Sequence, residues 1–153
     1  MFFKNISHPR SNRRFIYSVW KDAEYLKWRY ETHPEKKYRF HYLTKGHDVV
    51  ALAVTRSHEK TQNIVEWMVK DKNPQWSDYL LQEIKRRSFN GKFQAIKFVG
   101  LDNGFYSQTF KSFKTKQLQH HLFCLRPLKK AESYSGVALP FNWSVTLGDW
   151  DDA

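Results

Sequence analysis

The sequence predicts an α+β fold in which one β-sheet is covered by helices, built as a single domain over residues 1–153. Its 153 residues are enough to bury one hydrophobic core without disulfides or metals. Apolar residues recur with a period of two in several runs, and runs with helical spacing stand before and after them. Strands and helices mixed in this way are typical of α+β domains.

The first elements predicted are a short strand and a helix. The strand is "FFKNI", residues 2–6. The helix begins after Asp22, because an aspartate is a favoured N-cap, and Leu26 and Tyr30 lie one turn apart on its apolar face. It ends before Pro34, since the residue that precedes a proline disfavours helical backbone.

Three strands in an antiparallel meander are predicted next. They are "YRFHYL", "VVALAVTR" and "NIVEWMVK", and Gly46 supplies a turn between the first two. The second strand is apolar on both faces and is therefore expected to be central. Strict alternation in the third strand divides its side chains between two faces. One face carries Ile64, Glu66 and Met68, and the other carries Val65, Trp67 and Val69.

The remaining elements are a long helix, a strand, a short helix and two more strands. Asn73 caps the long helix, Pro74 suits its first position, and Asn90-Gly91 ends it. The strand "AIKFVGL" follows, then a short helix in residues 102–116. The last two strands predicted are "QLQHHLFCLRPL" and "WSVTLG".

The charge of the chain favours an anionic partner. Its 26 lysine and arginine residues outnumber 15 aspartate and glutamate residues, for a formal net charge of +11. Basic residues with aromatic residues between them make a nucleic-acid-binding protein one alternative, although no RNP, KH or helix-turn-helix pattern occurs. The basic clusters are Arg10, Arg13 and Arg14; Lys85, Arg86 and Arg87; and Lys111, Lys114 and Lys116.

Composition also predicts the compartment and excludes some sites. No apolar run is long enough to span a bilayer, and the N-terminal residues lack the pattern of a secretory signal. With Cys124 as its single cysteine, the chain is expected to be cytoplasmic and without a disulfide. No metal site is predicted, because His120 and His121 point to opposite faces of a strand and the other histidines lack ligand spacing.

Two short segments resemble a known superfamily. "DAEYLKWRYETHPEKKY" is similar to a D-x-x-x-L-x-W-R-Y-x-x-x-P-x-x-x-Y signature, and "WSVTLGDWDD" to a terminal W-x-x-T-x-G-D-x-D segment. Both signatures occur in a group of bacterial proteins related to the GNAT acyltransferase superfamily, and this chain resembles their second lobe. The resemblance implies a twisted, mainly antiparallel mixed sheet with helices on both faces.

The resemblance also implies a function, namely acyl transfer from acetyl-CoA to an amine acceptor. The base would be Glu66 or Asp149, and Tyr106 would be the acid, since Gln108 stands where the superfamily often has tyrosine. The CoA pyrophosphate would lie between the fourth strand and the following helix, where amides and the helix dipole favour phosphate. The residues that would bind the cofactor are Val69, Lys70, Lys72, Asn73 and Asn103.

The same loop suggests an alternative. The superfamily loop is rich in glycine, whereas "VKDKNPQWSD" has no glycine, and Pro74 removes one amide donor. A degenerate, non-catalytic lobe that binds a partner is therefore the second hypothesis. Its partner would be a second copy of the chain or another GNAT lobe.

Overall fold

The computed structural model describes residues 17–18, 20–99, 109–110, 143–144 and 146. The strands are β1 (Tyr17–Ser18), β2 (Tyr38–Lys45), β3 (Asp48–His58), β4 (Thr61–Val69), β5 (Ala95–Phe98) and β6 (Trp143–Ser144). The helices are α1 (Ala23–Leu26), which a π-helical turn (Lys27–Glu31) continues, and α2 (Pro74–Asn90), which a 3-10 turn (Lys70–Lys72) precedes. The predicted strands at 2–6 and 117–128 lie outside the described residues. So does the predicted helix at 102–116, apart from residues 109 and 110, which are helical.

Four strands form one mixed sheet in the order β2-β3-β4-β5. β2, β3 and β4 are antiparallel, and β5 pairs with β4 in parallel. The predicted meander and the central place of its second strand are confirmed, and so is the α+β class. β1 and β6 form a separate parallel pair, with Tyr17 opposite Trp143.

The turn and cap residues act where the sequence predicted. Gly46 has a φ of +62° in the turn between β2 and β3, a backbone conformation that costs glycine little. The Asp22 carboxylate accepts a hydrogen bond of 2.8 Å from the Tyr25 amide at the start of α1. Asn73 caps α2 and Pro74 takes its first position.

The two helices cover opposite faces of the sheet. α2 packs with Leu80, Leu81 and Ile84 in one buried cluster, whose sheet residues are Ala51, Ala53, Ile64 and Trp67. α1 and its π-helical turn supply Leu26 and Tyr30 to the other cluster, whose sheet residues are Val49, Leu52, Val54 and Val65. Helices on both faces are thus confirmed for the described residues.

The predicted alternation along β4 is wrong at one place. Val54 lies opposite Glu66 while Thr55 lies opposite Ile64, so Val65 is an extra residue in a β-bulge. Ile64 and Trp67 consequently belong to the α2 cluster, whereas Val65 belongs to the α1 cluster. The bulge turns Glu66 toward the side of the sheet that α1 covers.

β4 and β5 pair over only part of their length. Their register runs from Thr61 opposite Ala95 to Ile64 opposite Phe98 and ends there. Among the described residues, the half of β4 from residue 65 to residue 69 therefore has a strand partner on the β3 side alone. This half leads directly into the loop before α2.

Candidate functional site

Glu66 is the centre of a buried polar cluster. Its side chain is 0% exposed, and its two carboxylate oxygens accept hydrogen bonds from Lys21 Nζ at 2.9 and 2.8 Å. The Tyr30 hydroxyl donates to Oε1 at 2.6 Å, and the Thr146 hydroxyl donates to Oε2 at 3.0 Å. Lys21 Nζ also donates to Thr146 at 3.0 Å. We call these four residues the Glu66 cluster.

Each member of the Glu66 cluster comes from a different part of the chain. Lys21 lies just before the N-cap of α1, and Tyr30 lies in the π-helical turn. Glu66 follows the bulge in β4, and Thr146 comes shortly after β6. Tyr30 belongs to the first of the two segments that carry the family resemblance, and Thr146 belongs to the second. The two segments thus meet on one carboxylate.

The cluster is built to hold these segments together. A carboxylate buried away from water is stable only when it is paired and hydrogen-bonded, and here a cation and two hydroxyls fulfil that need. A general base instead needs an oxygen within hydrogen-bond reach of its substrate. An amine could reach Glu66 only by displacing Lys21, Tyr30 or Thr146.

Glu66 is the one sequence-predicted catalytic residue that the described residues include. Tyr106, Asp149 and the cofactor residue Asn103 lie outside the described residues. Sequence reasoning selected Glu66 but missed its partners Lys21 and Thr146. The sequence did indicate that Glu66 has a cationic partner, since a glutamate inside an apolar strand requires a cation when it is buried.

The predicted cofactor residues Lys70, Lys72 and Asn73 lie between β4 and α2, and Val69 is the last residue of β4. The loop makes a tight turn without glycine, because Asp71 and Lys72 have φ angles of 56° and 49°. Left-handed backbone of this kind is uncommon for residues other than glycine, with aspartate among the more tolerant. Lys70 Nζ lies 3.7 Å from an Asp48 carboxylate oxygen in a partly exposed ion pair.

The first turn of α2 has acceptors for its own amides. Asn73 Oδ1 accepts from the Gln75 amide at 2.9 Å and from the Trp76 amide at 3.3 Å. The Ser77 amide donates to the Asn73 carbonyl at 3.2 Å, and Pro74 has no amide hydrogen. A phosphate bound at this helix terminus would have to displace the Asn73 side chain.

Aromatic rings fill the space beside residues 65–69 of β4, the half of the strand that does not pair with β5. The Phe110 ring stacks on Phe98 of β5 with centroids 4.5 Å apart, and it lies 5.4 Å from the Trp67 ring of β4. Trp67 is 1% exposed. A ring from each strand therefore contacts the Phe110 ring near the place where the backbone ladder between β4 and β5 ends.

A chain of hydrogen bonds closes the same region toward α2. Trp67 Nε1 donates to Ser77 Oγ at 3.2 Å. Ser77 Oγ in turn lies 3.2 Å from Thr109 Oγ1, and all three side chains are buried. The start of α2 is thus joined directly to the helical residues 109–110.

His41 is a second buried polar group, under α2. Its Nε2 lies 2.9 Å from Thr55 Oγ1, while its Nδ1 is buried without a hydrogen-bond partner. The pKa of His41 is lowered from 6.5 to about 4, chiefly by burial and then by the positive charges of Arg87 and Arg39, against a smaller opposing effect of Glu83. The ring is therefore neutral at pH 7.

This neutral histidine makes stability depend on pH. In the unfolded chain the pKa returns to 6.5, so between pH 6.5 and about 4 the unfolded state binds more protons than the folded state. We expect His41 to leave the free energy of unfolding unchanged above pH 6.5. Below pH 6.5 it should lower that free energy by up to about 1.4 kcal/mol per pH unit. Urea unfolding of the wild type and of His41→Gln at pH 7, 6 and 5 measures this. The difference between the two proteins isolates His41, and parallel pH profiles would contradict the prediction.

The described residues offer no metal centre or membrane helix. No group of three or more histidine, cysteine, aspartate or glutamate side chains in this part of the chain could hold a metal ion. Over the same residues, neither helix has the length and apolar character needed to cross a bilayer.

Comparisons with known proteins do not place the chain in a family. No family model matches it, and no significant match was found among the curated proteins or the solved structures.

Proposed function

We propose that the chain is a GNAT-like lobe. The order of its elements supports this, because an N-terminal helix, the meander β2-β3-β4, α2 and the parallel strand β5 follow one another as the resemblance implies. The two resembling segments also gain a common structural role, since Tyr30 and Thr146 both bind Glu66.

Within this fold, we propose that the lobe is a non-catalytic module that binds a partner. The observation that carries the proposal is the start of α2. Its amides donate to Asn73 and its first residue is a proline, so the terminus offers no free donors for a CoA pyrophosphate. The rings of Trp67 and Phe110 fill the neighbouring space beside β4, where an acyl chain would need to lie.

Acyl transfer from acetyl-CoA is the second candidate, and one observation favours it. Residues 65–69 of β4 have no partner strand among the described residues on the β5 side, and backbone amides there could polarise a thioester carbonyl. Lys70 and Lys72 would then supply positive charge to the phosphates. In this reaction Glu66 or Asp149 would be the base and Tyr106 the acid.

Calorimetry and thermal unfolding with acetyl-CoA distinguish the two candidates. We expect no heat of binding and no rise in Tm up to millimolar acetyl-CoA at low salt. If the second candidate is right, a ligand at about 100 times its Kd stabilises the fold by about 2.7 kcal/mol. That rise in Tm, lost again in a Lys70→Ala/Lys72→Ala variant, would overturn the proposal of a non-catalytic lobe.

The partner would be a second copy of the chain or another GNAT lobe, and we propose a second copy, since some members of the group that the chain resembles have two GNAT lobes. Sedimentation equilibrium over a range of protein concentrations completes the same test. A monomer–dimer equilibrium supports the proposed partner, and a monomer at every concentration contradicts it.

A further inference from the structure

We propose that the C-terminal end of α2 binds single-stranded nucleic acid, with the Phe89 ring as a stacking platform and the surrounding cations as phosphate ligands. Phe89 is 82% exposed, more than any other large apolar side chain of the described residues. The surface consists of Phe89 with the exposed cationic residues Lys60, Lys85, Arg86 and Lys92, and we call it the Phe89 surface.

Hydrogen bonds fix the backbone at Phe89. The Gly91 amide donates to the Arg87 carbonyl at 2.9 Å, and the Lys92 amide donates to the Phe89 carbonyl at 3.0 Å. A side chain at Gly91 would bring a Cβ to 2.9 Å from the Phe93 ring, so the turn suits glycine. Because this backbone is already ordered, a base that stacks on the Phe89 ring does not have to order the turn.

One hydrogen bond and the helical spacing bring cations to the same end of α2. The Gln94 amide donates to the Lys60 carbonyl at 2.8 Å, which places the β3–β4 turn beside the end of α2. Lys85 and Arg86 stand four and three residues before Phe89 on the helix, and residues at these spacings are neighbours on a helix surface.

The cations at this end of α2 outnumber the carboxylates. Glu83 accepts hydrogen bonds from both Arg86 and Arg87, and these bonds lower its pKa to about 2. The positive charge of Arg87 and Arg39 also reaches the buried His41 ring. Glu83 is therefore ionised at pH 7, and with Glu59 it makes two carboxylates against the five cations Lys60, Lys85, Arg86, Arg87 and Lys92, so the charge at this end is positive.

The polar neighbours of Phe89 favour nucleic acid over a protein partner. A hydrophobic hot spot of a protein interface is packed among other apolar residues, but Gln82, Lys85 and Arg86 surround Phe89 on the helix. An exposed ring among cations is what single-stranded nucleic acid binds, because every unpaired base has a π-face and a phosphate nearby. The surface lies at the opposite end of α2 from Asn73, so the inference does not depend on whether acetyl-CoA binds.

Fluorescence anisotropy with a labelled 20-nucleotide oligothymidine tests the proposal. We expect binding at low salt that weakens steeply as salt rises, since released counterions contribute to affinity. Phe89→Ala should weaken binding about tenfold or more through the loss of stacking. Lys92→Ala should weaken binding and make its salt dependence shallower.

Two controls make the test specific. Tyr42→Ala removes another exposed ring, from β2, and should leave affinity unchanged. An abasic oligonucleotide of equal length should lose affinity through Lys92→Ala but not through Phe89→Ala, because it has phosphates and no bases. Absence of oligothymidine binding at low salt, or equal effects of Phe89→Ala and Tyr42→Ala, would overturn the proposal. So would tighter binding of polyglutamate than of oligothymidine, which would indicate an acidic protein partner.

Discussion

Replacing Lys21 with methionine is expected to lower the free energy of unfolding by about 3–5 kcal/mol, because it leaves the buried Glu66 carboxylate without its cation. Lys21 Nζ lies 2.8 Å from Oε2 of Glu66, whose side chain is 0% exposed. The Tyr30 and Thr146 hydroxyls would remain as donors, but neither carries the positive charge that balances a buried anion. Urea unfolding followed by far-UV circular dichroism at pH 7 measures the change.

Two comparisons show whether the loss comes from an unpaired charge. Adding Glu66→Gln to Lys21→Met should restore most of the stability, since a neutral amide can still accept from Tyr30 and needs no cation. Lys70→Met breaks the partly exposed pair with Asp48 and should cost less than about 1 kcal/mol. If Lys21→Met cost no more than Lys70→Met, the Glu66 cluster would not be what ties the segments together.

Local chemistry made much of the fold predictable. The turn at Gly46, the N-caps Asp22 and Asn73, and the end of α2 at Asn90 depend on neighbours a few residues away, so the sequence carries their signal directly. The central place of β3 was also predictable, because only a strand covered on both faces is apolar on both.

The bulge at Val65 could not be predicted, because no polar residue marks it in the sequence. A one-residue slip in a strand moves side chains to the other face, and polar residues normally reveal it. The neighbours Ile64 and Val65 are both apolar and both buried, each in a different cluster. Strict alternation and a bulge therefore fit this stretch equally well, and strict alternation was the wrong choice.

Only Glu66 itself, and not its partners in the Glu66 cluster, could be predicted from the sequence. Glu66 itself stands out as a charge in an apolar strand. Its partners Lys21 and Thr146 lie 45 and 80 residues away along the chain, and no local spacing links them to it. The geometry also changes the role inferred for Glu66. A carboxylate enclosed by three donors is suited to holding segments together more than to taking a proton from a substrate.

The two ends of α2 differ in a way that bears on function. At the first turn the amides of Gln75 and Trp76 donate to Asn73, so the chain satisfies its own helix terminus. At the other end the exposed Phe89 ring stands among cations. At the end where the resemblance implies a phosphate ligand, Asn73 therefore occupies the amides. The opposite end, about which the resemblance implies nothing, is the one that we propose binds an anionic ligand.

Replacing Trp67 with alanine is expected to lower the free energy of unfolding by about 3–5 kcal/mol, as much as replacing Lys21 with methionine. Trp67 is 1% exposed, belongs to the cluster beneath α2, and contacts the Phe110 ring with centroids 5.4 Å apart. Alanine would leave a cavity and would also remove the hydrogen bond to Ser77. Urea unfolding followed by far-UV circular dichroism measures the loss without using tryptophan fluorescence.

Two variants serve as controls for Trp67→Ala. Trp67→Phe keeps a ring and should cost clearly less, while Trp28→Ala removes a side chain that is 66% exposed and should change stability by no more than about 0.5 kcal/mol. Equal effects of Trp67→Ala and Trp28→Ala would show that Trp67 does not fill a packed space beside β4.

Trp67→Ala also tests how the proposed lack of acetyl-CoA binding arises. The substitution removes the ring from the space beside β4 but leaves Asn73 and Pro74 in place, so the amides of the first turn remain occupied. We therefore expect Trp67→Ala, studied below its Tm, to show no heat of binding with acetyl-CoA. Binding by this variant alone would mean that the ring, and not the capped start of α2, is what keeps the cofactor out.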